Sequence, residues 1–183
     1  ESLKSSFGHL SNFSMGVDIA DINNDANPDI FTLDMLPEDN RRQKLLYAPD
    51  NYELYNNTLQ NGFYHQLMRN MLQVNNGNGT FSEIGQAAGV SNTDWSWAAL
   101  LADFNNDGKK DLFITNGYGR DMINRDFIKF YANERLKHLQ GKTDSRMFLM
   151  LQGIKSTPLH NYIYENKGDL SFKDRSADWG FEE

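Results

Sequence analysis

The chain repeats itself, and that limits what it can fold into more than any other feature. Met15–Leu33, "MGVDIADINNDANPDIFTL", lies over Trp97–Thr115, "WAALLADFNNDGKKDLFIT". Asp21, Asn23, Asn24, Asp25 and Asp29 then meet Asp103, Asn105, Asn106, Asp107 and Asp111. A second pair follows in the same order: Arg69–Val90, "RNMLQVNNGNGTFSEIGQAAGV", over His160–Phe181, "HNYIYENKGDLSFKDRSADWGF". Here Asn70, Asn75, Gly77, Phe81 and Gly89 meet Asn161, Asn166, Gly168, Phe172 and Gly180. The two halves thus repeat in the same order, which chance explains poorly, and a fold built of two like units is expected.

Each half reads as four short strands. Gly16–Ala20 and Ile30–Leu33 flank the first acidic run, and Met71–Val74 and Thr80–Ile84 flank "NNGNG", a hairpin turn whose Asn and Gly tolerate positive φ. The second half supplies Ala98–Ala102, Leu112–Thr115, Tyr162–Glu165 and Ser171–Asp174. Four antiparallel strands per repeat is the makeup of a propeller blade. The expected fold is therefore mainly β, two four-stranded blades of a β-propeller with helical insertions between strands two and three of each blade. The boundaries follow: residues 1–12 end a preceding blade or form a linker, 13–92 are one blade with an insertion at about 36–68, and 93–183 the other with an insertion at about 118–158. In the insertions "DNYELYNNTLQNG" is expected to be helical between Asp50 and Gly62, and "NRDFIKFYANERLKHLQG" between Asn124 and Gly141. The stripe of Phe127, Ile128, Phe130, Tyr131 and Leu136 is expected to pack, and "DSRMFLMLQGI" to add a second helix.

The acidic runs have the chemistry of a hard cation. Ca²⁺ takes six to eight oxygens in a flexible shell. Side chains at positions one, three, five and nine of a tight loop converge while position seven offers its carbonyl. The second loop supplies Asp103, Asn105, Asp107 and Asp111, with the backbone of Lys109, and Gly108 allows the sharp turn. The first supplies Asp21, Asn23, Asp25 and Asp29, with the backbone of Asn27. Ala26 replaces the glycine there, at a cost on the order of 1 kcal/mol if its φ is positive, and Pro28 stiffens the exit. Two Ca²⁺ sites are expected, the second tighter. An EF-hand would need a glutamate at position twelve, where Ile114 stands, and flanking helices. Magnesium suits a pre-built protein cage less well, and zinc lacks its usual nitrogen and sulfur ligands here. The bland alternative is an acidic turn that caps its own backbone without metal.

Composition narrows the partners. Net charge is −7 and pI about 5.1, which argues against nucleic acid. There is no cysteine, so disulfides and thiolate chemistry are excluded. No apolar run is long enough for a transmembrane segment. Glu1 opens mid-pattern, as expected of a processed or excised piece. His9, His65, His138 and His160 are scattered, and no nucleophile elbow, P-loop or dinucleotide fingerprint is present. Trp95 and Trp97 are expected to pack between blades in preference to stacking on a sugar, and "NRRQK" (Asn40–Lys44) to be a solvated face.

These residues resemble the FG-GAP and VCBS repeat family, the calcium-binding blades of integrin α-subunit-like propellers. The likeness lies in "DINNDANPDIF" and "DFNNDGKKDLFI", each followed by its hairpin, and "HNYIYENKGDLSF" is similar to the "N-x-L-Y-x-N-N-G-D-G-T-F" signature of bacterial and cartilage-acidic-protein-like members. "DMLPEDNRRQK" and "SNTDWSWAALLADF" look like large surface proteins of Gram-negative gut and marine bacteria. The resemblance implies an exported module, at the outer-membrane surface, in the periplasm or outside the cell, that serves adhesion, protein or glycan capture, or scaffolding. It implies the metal ligands already named, while Ala26 and "NKGDL" depart from the pattern. Two blades do not close a ring of about four to eight, so the rest of the propeller, or neighbouring chains, is an expected partner. The competing expectation is a carbohydrate-active propeller, a polysaccharide lyase or hydrolase whose catalytic groups lie outside this segment.

Overall fold

A computed structural model describes residues 2–47, 52–121, 123–139, 154 and 156–181. In chain order the elements are α1 (Leu3–Ser6), β1 (Leu10–Ser11), β2 (Gly16–Ala20), β3 (Asp29–Leu33), α2 (Asn40–Leu46), α3 (Tyr52–Gln60), β4 (Gln66–Leu67), β5 (Met71–Asn75), β6 (Phe81–Glu83), β7 (Ser96–Ala102), β8 (Asp111–Asn116), α4 (Arg125–Leu139), β9 (Tyr162–Asn166) and β10 (Phe172–Asp174). Two four-stranded antiparallel sheets dominate, in the orders β2-β3-β5-β6 and β7-β8-β9-β10. Each strand lies within two residues of the span its alternation and turns dictate. The short parallel pair of β1 with β4 is unexpected. So is α2, which the polar run "NRRQK" conceals; its signal is Asp39, whose carboxylate accepts the Arg42 amide at 2.8 Å.

The chain divides into two compact units. Both sheets and α3 fall in the first, made of Glu1–Glu38, Asn51–Gly117 and Leu159–Glu183; α2 and α4 fall in the second, Asp39–Asp50 and Tyr118–Pro158. In the second unit Asn124 caps α4 through the Asp126 and Phe127 amides at 3.0 and 3.3 Å. Its expected packing stripe is divided: Phe127 and Tyr131 stack on each other, whereas Ile128, Phe130 and Leu136 are exposed. Asp50, Gly141, the side chain of His138 and all but the last residue of "DSRMFLMLQGI" lie outside the described residues.

The core of the first unit lies between the sheets. Phe31, Leu33, Leu72 and Val74 on the first sheet meet Leu101, Leu112, Ile114, Tyr162, Tyr164 and Phe172 on the second, with Ala88 and Val90 beside them. Each fully buried aliphatic side chain contributes about 1.5–3 kcal/mol. The two sheets use opposite faces. Leu101 is 7% exposed inside the joint, yet its counterpart Ile19 is 57% exposed, and Val17 beside it is 59% exposed. Leu100 and Trp97 lie open on the outer face of the second sheet. The outer face of each sheet is thus open at its first strand, whereas Met71 and Gln73 on the first sheet and Ile163 on the second are buried, and Phe104 and Phe181 pack on Phe113.

The strands β2 and β7 approach closely because of two residues. The Asp18 carboxylate accepts its own strand's Ile19 amide at 2.9 Å and the Leu101 amide of β7 at 2.6 Å. Gly16 leaves room for the Trp97 carbonyl, which a Cβ would meet at 2.4 Å. Gly16→Ala must therefore separate the strands. It should lower stability by about 1–3 kcal/mol, the usual cost of overpacking, measured by urea denaturation; an unchanged midpoint would contradict this account of the joint.

Candidate functional site: paired acidic turns

Each turn is folded by its own carboxylates. In the first, Asp21 accepts the Asp25 and Ala26 amides at 3.1 and 2.8 Å, Asn23 accepts the Asp25 amide at 3.2 Å, and Asp25 accepts the Asn27 amide at 2.8 Å. The second repeats this bond for bond. Asp103 accepts the Asp107 and Gly108 amides at 3.0 and 2.9 Å, Asn105 accepts the Asp107 amide at 2.9 Å, and Asp107 accepts the Lys109 amide at 2.9 Å. Two residues per turn take positive φ to allow it: Asn24 and Ala26 at 59° and 68°, Asn106 and Gly108 at 60° and 85°. Asn tolerates this region and Gly prefers it, whereas Ala is strained there.

The ninth residue of each turn is set apart from the rest. Asp29 and Asp111 are fully buried. Asp29 accepts the Ile22 amide at 2.9 Å and the Asn75 amide at 2.8 Å; Asp111 accepts those of Phe104 and Asn166 at 3.1 and 2.9 Å. Each carboxylate therefore ties the start of its turn to the end of the third strand. Positions one, three and five gather at the exposed lip, with Asn27 and Lys109 following at position seven.

The electrostatics separate the two groups as well. The Asn27 amide, then the Asn23 side chain, holds Asp25 below the usual carboxylate range; the Lys109 amide, then its ammonium, does the same for Asp107. Burial pushes Asp29 up, against the pull of the Ile22 and Asn75 amides. A lowered carboxyl stabilises the fold above its unfolded pKa, and that contribution is lost as pH falls through the lowered value. The lips are thus anionic at neutral pH. The second carries its own counter-ion, Lys109 Nζ at 3.1 Å from Asp107 Oδ2, where the first has the neutral Asn23 amide at 2.9 Å from Asp25 Oδ2.

Among the described residues, no group of three or more His, Cys, Asp or Glu side chains is arranged to hold a metal ion. The donor chemistry of each lip nevertheless fits calcium: the donors are all oxygen, from Asp, Asn and Asp. An oxygen accepting one amide proton keeps a second lone pair.

Several polar side chains outside the two turns fix the strands that carry them. Asn166, 2% exposed, donates from Nδ2 to the Ile22 carbonyl of the first turn at 2.8 Å and to the Lys110 carbonyl of the second at 3.0 Å. Asn70 and Asn161 accept the amides that end β3 and β8, those of Asp34 and Asn116. All of these fall in matched columns of the repeat, which was the available signal. The His9–Glu83–Arg69 cluster, with Glu83 at 3.0 Å from His9 and 3.4 Å from Arg69, joins residues too distant in sequence to be paired by spacing.

The strain at Ala26 is directly testable. Ala26→Gly should raise stability by about 1 kcal/mol and Gly108→Ala lower it by a similar amount, the difference between Gly and Ala at left-handed backbone. A Cβ at Gly108 meets nothing within 4 Å, so backbone strain alone is measured. Chemical denaturation of both variants checks the pair; equal stability of Gly and Ala at either position would contradict it.

A family model described as FG-GAP-like repeat matches residues 59–114. The matched stretch runs from the end of α3 through β5, β6 and β7 to the second acidic turn and β8, so it covers one hairpin and one turn from different sheets. No curated protein matches the chain, and no solved structure does. No helix among the described residues is long and apolar enough to cross a membrane. From residue 59 to residue 114 the chain carries an FG-GAP-like repeat.

Proposed function

We propose that the chain is two neighbouring blades of a calcium-braced β-propeller, an exported module for binding, adhesion or scaffolding at the bacterial cell surface, without catalytic groups of its own. The observation that carries this reading is the acidic turn, built twice with the same hydrogen bonds at the same corner of two like sheets. The FG-GAP-like match supports it. The open apolar faces at Val17 and Ile19 and at Leu100 support further blades on either side, supplied by the rest of the propeller or by neighbouring chains.

Asp21, Asn23 and Asp25, with the Asn27 carbonyl, would hold one Ca²⁺; Asp103, Asn105 and Asp107, with the Lys109 carbonyl, would hold the other. Asp29 and Asp111 stand behind them at position nine, as further ligands or as the fixed base of the turn. Calcium supplies a divalent charge that offsets the crowded carboxylates and locks the loop. The two exposed turns then present a protein or glycan partner with a rigid surface.

A ligand that binds only the folded state at about 100 times its Kd stabilises by about 2.7 kcal/mol. For a chain of this size that raises Tm by roughly 5–10 °C. Calcium should therefore lift the melt and a chelator should reverse it, with heat released or absorbed in calorimetry. A superimposable melt with no titration heat would contradict the calcium reading. Release of reducing ends or unsaturated sugars from a polysaccharide panel would contradict the non-enzymatic one.

A further inference from the structure

We infer that the two turns are coupled, and that Asn166 is the positioning residue that couples them. The inference rests on the calcium reading above and concerns how the two sites act on one another. Asn166 is the residue whose side chain hydrogen-bonds both turns. Its buried Nδ2 spends one hydrogen on the Ile22 carbonyl, position two of the first turn, and the other on the Lys110 carbonyl, position eight of the second. Its backbone amide donates to Asp111, and its Oδ1 accepts the Gly168 amide at 2.8 Å, so the side chain has no freedom to follow one turn without the other. A lighter contact runs alongside: Asn24 Nδ2 donates to the Gly108 carbonyl at 3.2 Å.

The counterpart on the first sheet shows what an uncoupled residue looks like. Asn75 makes the same bonds within its own half, to Asp29 and from Gly77, but its Nδ2 reaches only the Pro28 carbonyl of its own turn. The cross-turn bond is therefore a property of the joint between sheets.

The mechanism follows from the peptide groups involved. Should the oxygens of Asp21, Asn23 and Asp25 hold a cation, the Asn23 side-chain oxygen, which also accepts the Asp25 amide at 3.2 Å, would be drawn toward it through its second lone pair. The Ile22–Asn23 peptide must adjust, and its carbonyl is the one Asn166 holds. The adjustment reaches the Lys110 carbonyl through the same NH₂ group, next to Asp111. Coupling of two sites is reciprocal, so cation at the second turn acts on the first equally.

The test is a set of calcium titrations followed at the Gly108 and Lys109 amides by NMR. In the otherwise unaltered protein, Asp25→Asn should weaken binding at the second turn by about fivefold, the low end of ordinary coupling. In an Asn166→Asp background, which keeps the Oδ1 acceptor and deletes both donors, the effect should shrink to the part that the Asn24–Gly108 bond still carries. Asn75→Asp should leave it intact. Should Asn166→Asp fail to fold, Asn24→Ala removes the exposed link alone and should reduce the effect. Identical second-turn affinity with and without Asp25→Asn would overturn the coupling while leaving calcium binding in place. Undiminished coupling in Asn166→Asp, or in Asn24→Ala where that variant stands in for it, would overturn the assignment to these residues. If no amide of either turn responds to calcium in the unaltered protein, the calcium reading falls and the coupling with it.

Discussion

One buried carboxyl group holds each of the two sheets in register. Burying a carboxyl group is costly unless each of its oxygens finds a donor, and one that loses a partner leaves the cost behind. Asp29 and Asp111 meet the condition with two backbone amides each, one from the turn and one from the end of the third strand. The first two strands cannot drift from the third without breaking one of those bonds. Everything functional in the turns is built outward from that anchor: the exposed lip of Asp, Asn and Asp hangs on the buried ninth residue.

The joint between the sheets follows the same logic with different groups. Asp18 satisfies an edge-strand amide that would otherwise be unpaired, and Gly16 allows the backbone close enough for that bond. Because the repeat does not reproduce these two residues, placing Ala98 and Leu100 in their columns, the outer face of the second sheet cannot make the same joint. The faces of Val17 with Ile19 and of Leu100 with Trp97 are apolar and exposed, and exposed patches of that kind on a sheet mark surfaces meant to be covered.

Much of this was legible in the residues. The eight strands could be read because short apolar runs are bounded by turns rich in Asn, Asp and Gly, and the repeat doubled every signal. The acidic runs were legible as turns with positive φ, and Ala26 does adopt the strained backbone its position demands. What was not legible is how oxygens are shared between uses. Spacing placed Asp29 and Asp111 with the other positions of a loop, but it does not show that both are fully buried or that each accepts an amide from a residue 46 or 55 positions away. The role of Asn166 was hidden for the same reason, since its partners Ile22 and Lys110 come from different sheets. Helix α2 was obscured by charge, and the exposure of Ile128, Phe130 and Leu136 shows that an apolar stripe at helical spacing does not by itself say what it packs against.

The central claim is that these turns are cation sites poised on a buried base. Its most direct measurement is a pair of crystal structures, grown with calcium and with chelator. The account predicts a density peak enclosed by Asp21, Asn23 and Asp25, and another by Asp103, Asn105 and Asp107, in the calcium crystal alone, with the amide bonds of Asp29 and Asp111 intact in both. Turns that keep their carboxylate-to-amide bonds unchanged in calcium, with no peak at either lip, would contradict it.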